Sequence, residues 1–325
     1  MKKILDLNNL VIRFHGKENT TYAVNNISFD IRQGEILGIV GESGSGKTVT
    51  AKSILRITDN AEIKNGSILF NGLDLLKISE REMRKIRGNN ISMIFQDPQT
   101  SLNPVFTIGN QMIDIIVRHK NISRKKARKI ALDWLALVGI TNPSKRLNSY
   151  PHELSGGMRQ RVIIAMALCL EPEIVIADEP TTALDVTIQS QILNLINDLK
   201  SKIHSSILLI THDLGVIANT CDRVIVMYGG KIMESSNVNH LFDNPKHPYT
   251  LGLLNALPKS KNSLEKLRPI PGNPPDNTKK ILGCPFYRRC SDRMDICEKR
   301  FPKTLYLNED HFLNCWLYVE EDSNE

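Results

Sequence analysis

The 325-residue sequence has no long apolar run. Its longest uninterrupted apolar stretch, Val162–Leu170, falls well short of the roughly 20 residues that a membrane-spanning helix needs. Near the start, Asp6 and Asn8 interrupt the apolar segment that a secretory signal requires. These absences predict a cytosolic protein without a membrane span, so any role at a membrane requires partner subunits.

The sequence has six cysteines but no C-x-x-C pair, which argues against a standard zinc ribbon. Cys169 and Cys221 are isolated in apolar surroundings, which is typical of buried, inert thiols. The other four lie near the C-terminal end, with five, six and seventeen residues between them: Cys284, Cys290, Cys297 and Cys315. In a reducing cytosol such a group favours a metal site over disulfides. Four thiolates suit either zinc or a [4Fe–4S] cluster, and unmetallated buried cysteines are the third possibility.

The sequence also shows no strong charge bias and no internal repeat. Hydrophobic residues make up 41% and charged residues 24%, an ordinary globular balance. The net charge of +7 is small for this length and is typical of a solvated surface rather than of a nucleic-acid-binding face.

Two regions differ in pattern. Residues 1–257 alternate apolar runs with helical patterns, which predicts an α/β fold with a mostly parallel core sheet. Within them, residues 98–168 have few β-branched runs and are predicted to form a helical subdomain. Residues 258–325 begin rich in proline and then carry the four cysteines, which predicts a linker and a small separate appendix. The predicted strands of the core are Glu35–Val40, Ile174–Ala177 and Ser206–Ile210.

A phosphate-binding loop follows the first of these strands. The pattern G-x-x-x-x-G-K-[ST] is complete, and a helical pattern follows it. Glycines allow successive backbone N–H groups to face a phosphate, the lysine adds a positive charge, and the threonine hydroxyl suits Mg²⁺. The predicted nucleotide-binding residues here are Gly41, Ser43, Gly44, Ser45, Gly46, Lys47 and Thr48.

A second element of triphosphatase chemistry is an apolar strand that ends in two acids, Asp178 and Glu179. An acid at the strand end is placed to hold Mg²⁺ through water, and the next acid can polarise the attacking water. Alone this pattern is common, but together with the phosphate loop it predicts a nucleoside-triphosphatase core.

A further glycine-rich segment precedes the acid strand. Leu154-Ser155-Gly156-Gly157 opens a predicted helix, and such an N-terminus is another site suited to phosphate. Lys47 and Ser155 lie 108 residues apart, in regions predicted to be different subdomains. One chain cannot easily present both to one γ-phosphate, whereas a head-to-tail dimer can.

With these segments the sequence resembles the ABC ATPase family. Leu154–Gln160 looks like the signature motif of that family, which completes the nucleotide site of the partner. The resemblance implies that Gln96 is the Q-loop residue, Asp185 belongs to the D-loop at the dimer interface, and His212 contacts the γ-phosphate. It implies ATP and Mg²⁺ as cofactors, with the metal at Thr48, Gln96 and Asp178. It also implies the family fold: a P-loop core sheet, a helical subdomain and an antiparallel β-subdomain.

An aromatic side chain near the first strands usually stacks on adenine in this family. Phe14 fits that position best, and Tyr22 is the alternative. Either side chain can also be an ordinary part of the core. Since all catalytic positions of the family are present, we predict a site that hydrolyses ATP through Glu179 and His212.

Three segments resemble the oligopeptide and dipeptide importer branch of the family, specifically its D-type ATPase. They are Phe95–Pro104, Ala177–Thr187 and Asn244–Leu254. The resemblance implies a heterodimer with a second, F-type ATPase, two integral permease subunits and an extracytoplasmic substrate-binding protein. It places the chain at the cytoplasmic face of the cell membrane. The same branch includes nickel, metallophore and glutathione importers, so the cargo assignment rests on analogy.

The cysteine-bearing C-terminal region also resembles that of the D-type ATPases, in which the four cysteines hold a [4Fe–4S] cluster. Arg288, Arg289 and Arg293 lie close enough in sequence to offset the negative charge of a ligated cluster. If the appendix is separate, Cys290→Ser should destabilise it and leave nucleotide binding nearly intact. A soluble ABC protein acting on nucleic acid or ribosomes is the other class to weigh, but such chains carry tandem cassettes or a long coiled coil. We therefore expect no nucleic-acid partner.

Overall fold

A computed structural model describes residues 2–16, 19–182, 185–257 and 269–319. The strands are β1 Lys3–His15, β2 Thr20–Arg32, β3 Ile36–Val40, β4 Ala61–Phe70, β5 Leu73–Asp74, β6 Ile91–Ile94, β7 Ile174–Asp178, β8 Ser206–Ile210, β9 Arg223–Tyr228, β10 Lys231–Asn237, β11 Leu305–Tyr306 and β12 Phe312–Leu313. The helices are α1 Lys47–Ile54, α2 Glu80–Ile86, α3 Pro98–Ser101, α4 Ile108–Lys120, α5 Arg124–Leu137, α6 Pro143–Arg146, α7 Gly156–Leu168, α8 Val186–Ile203, α9 Leu214–Thr220, α10 Val238–Asp243, α11 Pro248–Asn255 and α12 Asp295–Lys299.

The chain divides into two compact units, and the first combines residues 1–76 with residues 210–325. It contains an antiparallel sheet in the order β2-β1-β4-β5. The long strand β1 pairs with β2 on one side and with β4 on the other, and apolar residues recur along its buried face. This sheet is the predicted antiparallel β-subdomain.

The first unit also holds part of the core sheet, in the order β11-β12-β10-β9-β3. Strands β3 and β9 are parallel, and every residue of both is buried. A strand covered on both faces reads as a continuous apolar run, which explains why the sequence identified β3 correctly. The phosphate loop leaves the end of β3 and leads into α1.

The second unit comprises residues 77–209, with strand order β8-β7-β6 and helices α2 to α8. Strands β6 and β7 are parallel and pair from Ile91 with Ile174 to Ile94 with Ala177. Helices α3 to α7 occupy the stretch predicted to be helical. Helix α5 begins at Arg124 because the Ser123 hydroxyl accepts the N–H of Lys126 and caps the helix.

The C-terminal residues 269–319 group with the first unit, where β12 pairs with β10 and β11 pairs with β12. The predicted domain boundary after residue 257 adjoins residues 258–268, which lie outside the described part of the chain. Among the described residues, no helix combines the length and the apolar character required to cross a membrane.

Candidate nucleotide-binding and hydrolysis site

The phosphate loop is built from backbone that only glycine tolerates at two points. Gly41 has φ +156°, and a Cβ added there would lie 2.1 Å from the carbonyl oxygen of Met227. At Gly46, with φ +98°, a Cβ would lie 2.5 Å from the carbonyl oxygen of Ala23. Gly46 is also the N-cap of α1 and provides no side chain to cap it. The N-terminus of this helix therefore offers its dipole and N–H groups to an anion.

Lys47 is buried within the loop that it is predicted to serve. Its ammonium group donates to the carbonyl oxygens of Gly41 at 2.6 Å and Glu42 at 2.9 Å, and lies 3.4 Å from the Ser45 hydroxyl. These contacts hold the loop closed around one positive charge. The structure thus brings Gly41, Ser45 and Lys47 together in one loop, which Gly46 connects to α1.

Phe14 and Tyr22, the two candidates for adenine stacking, lie on the paired strands β1 and β2 and are both half-buried. The guanidinium of Arg13 lies over the Tyr22 ring, 5.1 Å from its centroid. One face of the Tyr22 ring is therefore covered by a cation.

His212 belongs to the first unit and follows β8 on an exposed turn. The next residue, Asp213, caps α9 by accepting the N–H groups of Gly215 and Val216. The Thr211 hydroxyl accepts the N–H of Asp213 at 3.0 Å. This turn fixes the backbone on both sides of His212.

The acid pair lies at the end of β7 in the second unit. Asp178 is almost completely buried, whereas Glu179 adopts the left-handed region with φ +47°, which is uncommon outside glycine. One Glu179 carboxylate oxygen accepts the Gln96 amide N–H at 2.9 Å and the Thr182 hydroxyl at 2.8 Å. The structure therefore joins two of the predicted residues, Gln96 and Glu179, and adds Thr182, which sequence reasoning had missed.

The glycine-rich signature segment opens helix α7. The Ser155 hydroxyl caps this helix by accepting the N–H of Met158, and Gly156 is its first residue. Gly157 packs against α8, since a Cβ there would lie 3.3 Å from Ile188. The Gln160 side chain donates to the Pro180 carbonyl oxygen at 2.6 Å, which ties the signature helix to the turn carrying Glu179.

Asp185 has a local structural role that is visible in the second unit. Its carboxylate accepts the N–H of Ile188 at 2.9 Å and caps helix α8. An acid at this end also complements the helix dipole. The predicted D-loop residue therefore sets where α8 begins.

A backbone contact joins two of the four C-terminal cysteines. Cys284 donates its N–H to the carbonyl oxygen of Cys297 at 2.7 Å. Gly283 permits this approach, since a Cβ there would lie 2.1 Å from the same oxygen. Cys315 follows β12 and is buried.

Burial, with a smaller contribution from the charges of the neighbouring cysteines, raises the pKa of Cys284 to about 12 and that of Cys315 to about 11. The metal-free thiols of Cys284 and Cys315 are therefore protonated at neutral pH, and metal binding there must release their protons. Among the described residues, no group of three or more His, Cys, Asp or Glu side chains is arranged to hold a metal ion. The expected cluster thus has its four sulfur donors in one region but not in a ligating arrangement.

The sequence predicted a separate C-terminal appendix, but residues of this segment contact the phosphate loop. Arg289, next to Cys290, contacts the Glu42 carboxylate of the phosphate loop at 2.7 Å. The Asn277 amide donates to the Gly44 carbonyl oxygen at 2.9 Å. No local pattern could reveal these contacts, because each joins residues more than 200 positions apart.

Comparison with known proteins agrees with the motifs. Residues 24–182 match the family model described as ABC transporter. The chain is 50% identical to the dipeptide transport ATP-binding protein DppD of Bacillus subtilis, with 98% of this chain and 95% of that protein covered. The chain belongs to the ABC transporter ATPases. This ABC ATPase is also 48% identical to the oligopeptide transport ATP-binding protein OppD of Bacillus subtilis, covering 97% and 89% of the two chains.

The C-terminal part of the ABC ATPase has a match of its own. Residues 233–297 match the oligopeptide/dipeptide transporter C-terminal region, which includes three of the four clustered cysteines. Among solved structures, the fold resembles an ATP-binding cassette in a dimeric post-hydrolysis state with bound ADP and Pi. That likeness has a TM-score of 0.65 and 29% identity, covering 72% of this chain and 98% of the other.

Proposed function

We propose that this ABC ATPase powers an importer of oligopeptides or dipeptides. The observation that carries the proposal is a complete cassette joined, in one chain, to the peptide-transporter C-terminal region over residues 233–297. The full-length relatives named as dipeptide and oligopeptide transport ATP-binding proteins support it. The chain works at the cytoplasmic face of the membrane with two permease subunits and an extracytoplasmic substrate-binding protein. A second, F-type ATPase completes the heterodimer.

In this proposal the phosphate loop binds ATP, and Glu179 and His212 take part in its hydrolysis. The N–H groups at the start of α1 and the Lys47 ammonium stabilise the negative charge of the β- and γ-phosphates, and Phe14 stacks on the adenine. Ser155, Gly156 and Gly157 bind the γ-phosphate held by the partner ATPase, and Asp185 lies at that interface.

Glu179 is the general base in the hydrolytic step. Its carboxylate takes a proton from the attacking water while the γ-phosphoryl leaves ADP. The hydrogen bonds from Gln96 and Thr182 orient the carboxylate. His212 donates a hydrogen bond to the γ-phosphate, and Gln96 also connects nucleotide state to the permease.

The donor atoms proposed for Mg²⁺ are of the kind that this ion prefers: the Thr48 hydroxyl, the Gln96 amide oxygen and the Asp178 carboxylate. When bound, Mg²⁺ neutralises charge that develops between the β- and γ-phosphates. Asp178 is nearly fully buried at the end of β7, and a buried carboxylate is best stabilised by such a cation.

The cargo can be tested in proteoliposomes that contain this chain with its partner ATPase and permease subunits. ATP hydrolysis should rise when the substrate-binding protein is loaded with a peptide and added outside. Glu179→Gln proteoliposomes are the matched control. Stimulation by a nickel–metallophore complex or glutathione instead of peptide would contradict the cargo. Stimulation of the isolated chain by RNA or DNA would contradict a transport role.

We also propose that Cys284, Cys290, Cys297 and Cys315 hold a [4Fe–4S] cluster, with Zn²⁺ as the alternative. The support is the presence of four soft donors within residues 284–315, two of which, Cys284 and Cys297, are joined by a backbone hydrogen bond. Protein purified without oxygen should absorb visible light at about 400 nm and contain about four irons per chain. Cys297→Ser should lose the iron, whereas Cys169→Ser, a buried thiol elsewhere, should keep it. Colourless protein with about one zinc supports the alternative, and metal-free protein contradicts both.

A further inference from the structure

The phosphate loop contains a negative charge, Glu42, directly after Gly41. ATP brings several negative charges of its own to the same loop. Like charges a few ångströms apart repel strongly where water is partly excluded. A carboxylate here therefore weakens nucleotide binding unless a cation neutralises it.

Every polar group of Glu42 has a partner within the first unit. Its N–H donates to the hydroxyl oxygen of Tyr249 at 2.9 Å, and its carbonyl oxygen accepts from Lys47 at 2.9 Å. Its carboxylate accepts a charge-assisted bond from the guanidinium of Arg289 at 2.7 Å. Glu42 is therefore held from three directions, and two of the partners lie C-terminal to the cassette match.

Arg289 is itself held rigidly. Its guanidinium donates to the Tyr228 hydroxyl at 2.9 Å, to the Pro271 carbonyl oxygen at 2.9 Å and to the Ile270 carbonyl oxygen at 3.0 Å. Its side chain is only 7% exposed, and the rings of Tyr228 and Phe286 lie beside it. A cation fixed in this way loses little conformational entropy when it pairs with Glu42.

Asn277 makes a second contact from the same C-terminal segment. Its amide donates to the Gly44 carbonyl oxygen, and its own carbonyl oxygen accepts the N–H of Tyr22 at 2.8 Å. The segment thus holds the loop at Glu42 and at Gly44. It also connects the loop to β2, the strand that pairs with β1, which carries Phe14.

We infer that Arg289 is a positioning residue for ATP binding: it neutralises Glu42 and, with Asn277, holds the phosphate loop in its binding geometry. The C-terminal region of this transporter ATPase then sets nucleotide affinity as well as carrying the cysteines. This inference rests on the proposed ATP site.

The test is equilibrium binding of a non-hydrolysable ATP analogue with Mg²⁺ to the full-length chain. Arg289→Ala should bind about ten-fold more weakly, because an uncompensated carboxylate remains in the loop. Arg288→Ala is the matched control: it removes the same charge one position away, where the side chain contacts Tyr287 rather than the loop. Its affinity should equal that of the native chain.

Two further variants separate electrostatic positioning from a merely structural role. Glu42→Gln should bind at least as tightly as the native chain, and Glu42→Gln combined with Arg289→Ala should recover most of the affinity lost in Arg289→Ala. Damage to the fold would instead make the double variant weaker. Unchanged affinity in Arg289→Ala, weaker binding by Glu42→Gln or failure of the double variant to recover overturns the inference. If the native chain binds no nucleotide, the proposed function fails instead.

Discussion

The phosphate loop and the acid turn both follow a fully buried parallel strand, but they are built differently. After β3, the backbone itself forms the phosphate loop. Glycines at 41 and 46 allow this backbone to lie within contact distance of neighbouring carbonyl groups. After β7, side chains form the site, since Gln96 and Thr182 both donate hydrogen bonds to the Glu179 carboxylate. We therefore expect nucleotide binding to depend on backbone geometry and hydrolysis to depend on side-chain hydrogen bonds. Substitutions should therefore separate them.

The sharpest separation is expected for Glu179→Gln. The amide keeps the shape of the side chain but cannot accept a proton from water, so turnover should fall by about a hundred-fold or more. ATP affinity should stay near the native value, because the phosphate loop is unaltered. Steady-state hydrolysis and equilibrium binding, measured on the same preparation, test the expected loss of turnover and the expected native affinity. Near-normal turnover would remove Glu179 from the mechanism.

Gly41→Ala should instead weaken nucleotide binding. Its methyl group would collide with the Met227 carbonyl oxygen, so the loop must move, and a displacement of about 1 Å costs roughly a hundred-fold in affinity or rate. Gly44→Ala is the matched control, because φ there is also positive but a Cβ meets open space. Nucleotide titrations should show a large loss for Gly41→Ala and a small one for Gly44→Ala. Equal losses would mean that strain, not the collision, matters.

Cys290→Ser tests how far the loop depends on the C-terminal segment. The sequence alone predicted nearly intact ATP binding in this variant. Because Arg289 precedes Cys290 and contacts Glu42, we now expect affinity to fall about ten-fold together with the thermal stability. Thermal unfolding and nucleotide titration of the same sample measure both effects. Lower stability with native affinity would restore the view of an independent appendix.

The smallest effect is expected for Tyr249→Phe. It removes the hydroxyl that accepts the Glu42 N–H while keeping the ring, which packs 4.5 Å from the Tyr228 centroid. Loss of one such bond costs about 1 kcal/mol, or a few-fold in ATP affinity. Turnover at saturating ATP should not change. A lower turnover at saturation would show that the hydroxyl acts beyond loop positioning.

Local patterns accounted for much of the fold and the candidate site. Continuous apolar runs identified β3, β7 and β8, and the spacing of Gly41, Gly46 and Lys47 identified the loop, because both signals lie within a few neighbouring residues. Arg289 could not be distinguished from Arg288 in this way. They are adjacent and chemically identical, and only the folded chain directs one of them to a residue 247 positions away.

The left-handed backbone of Glu179 has a consequence for how such cassettes diverge. A residue with a branched or long side chain is disfavoured by about 1 kcal/mol in this region, whereas glycine or asparagine is tolerated. Selection for stability alone would favour replacing Glu179, and its proposed role in turnover explains why a glutamate stands there. A duplicated copy of this gene that no longer had to hydrolyse ATP should therefore lose Glu179 early, while its phosphate loop persisted.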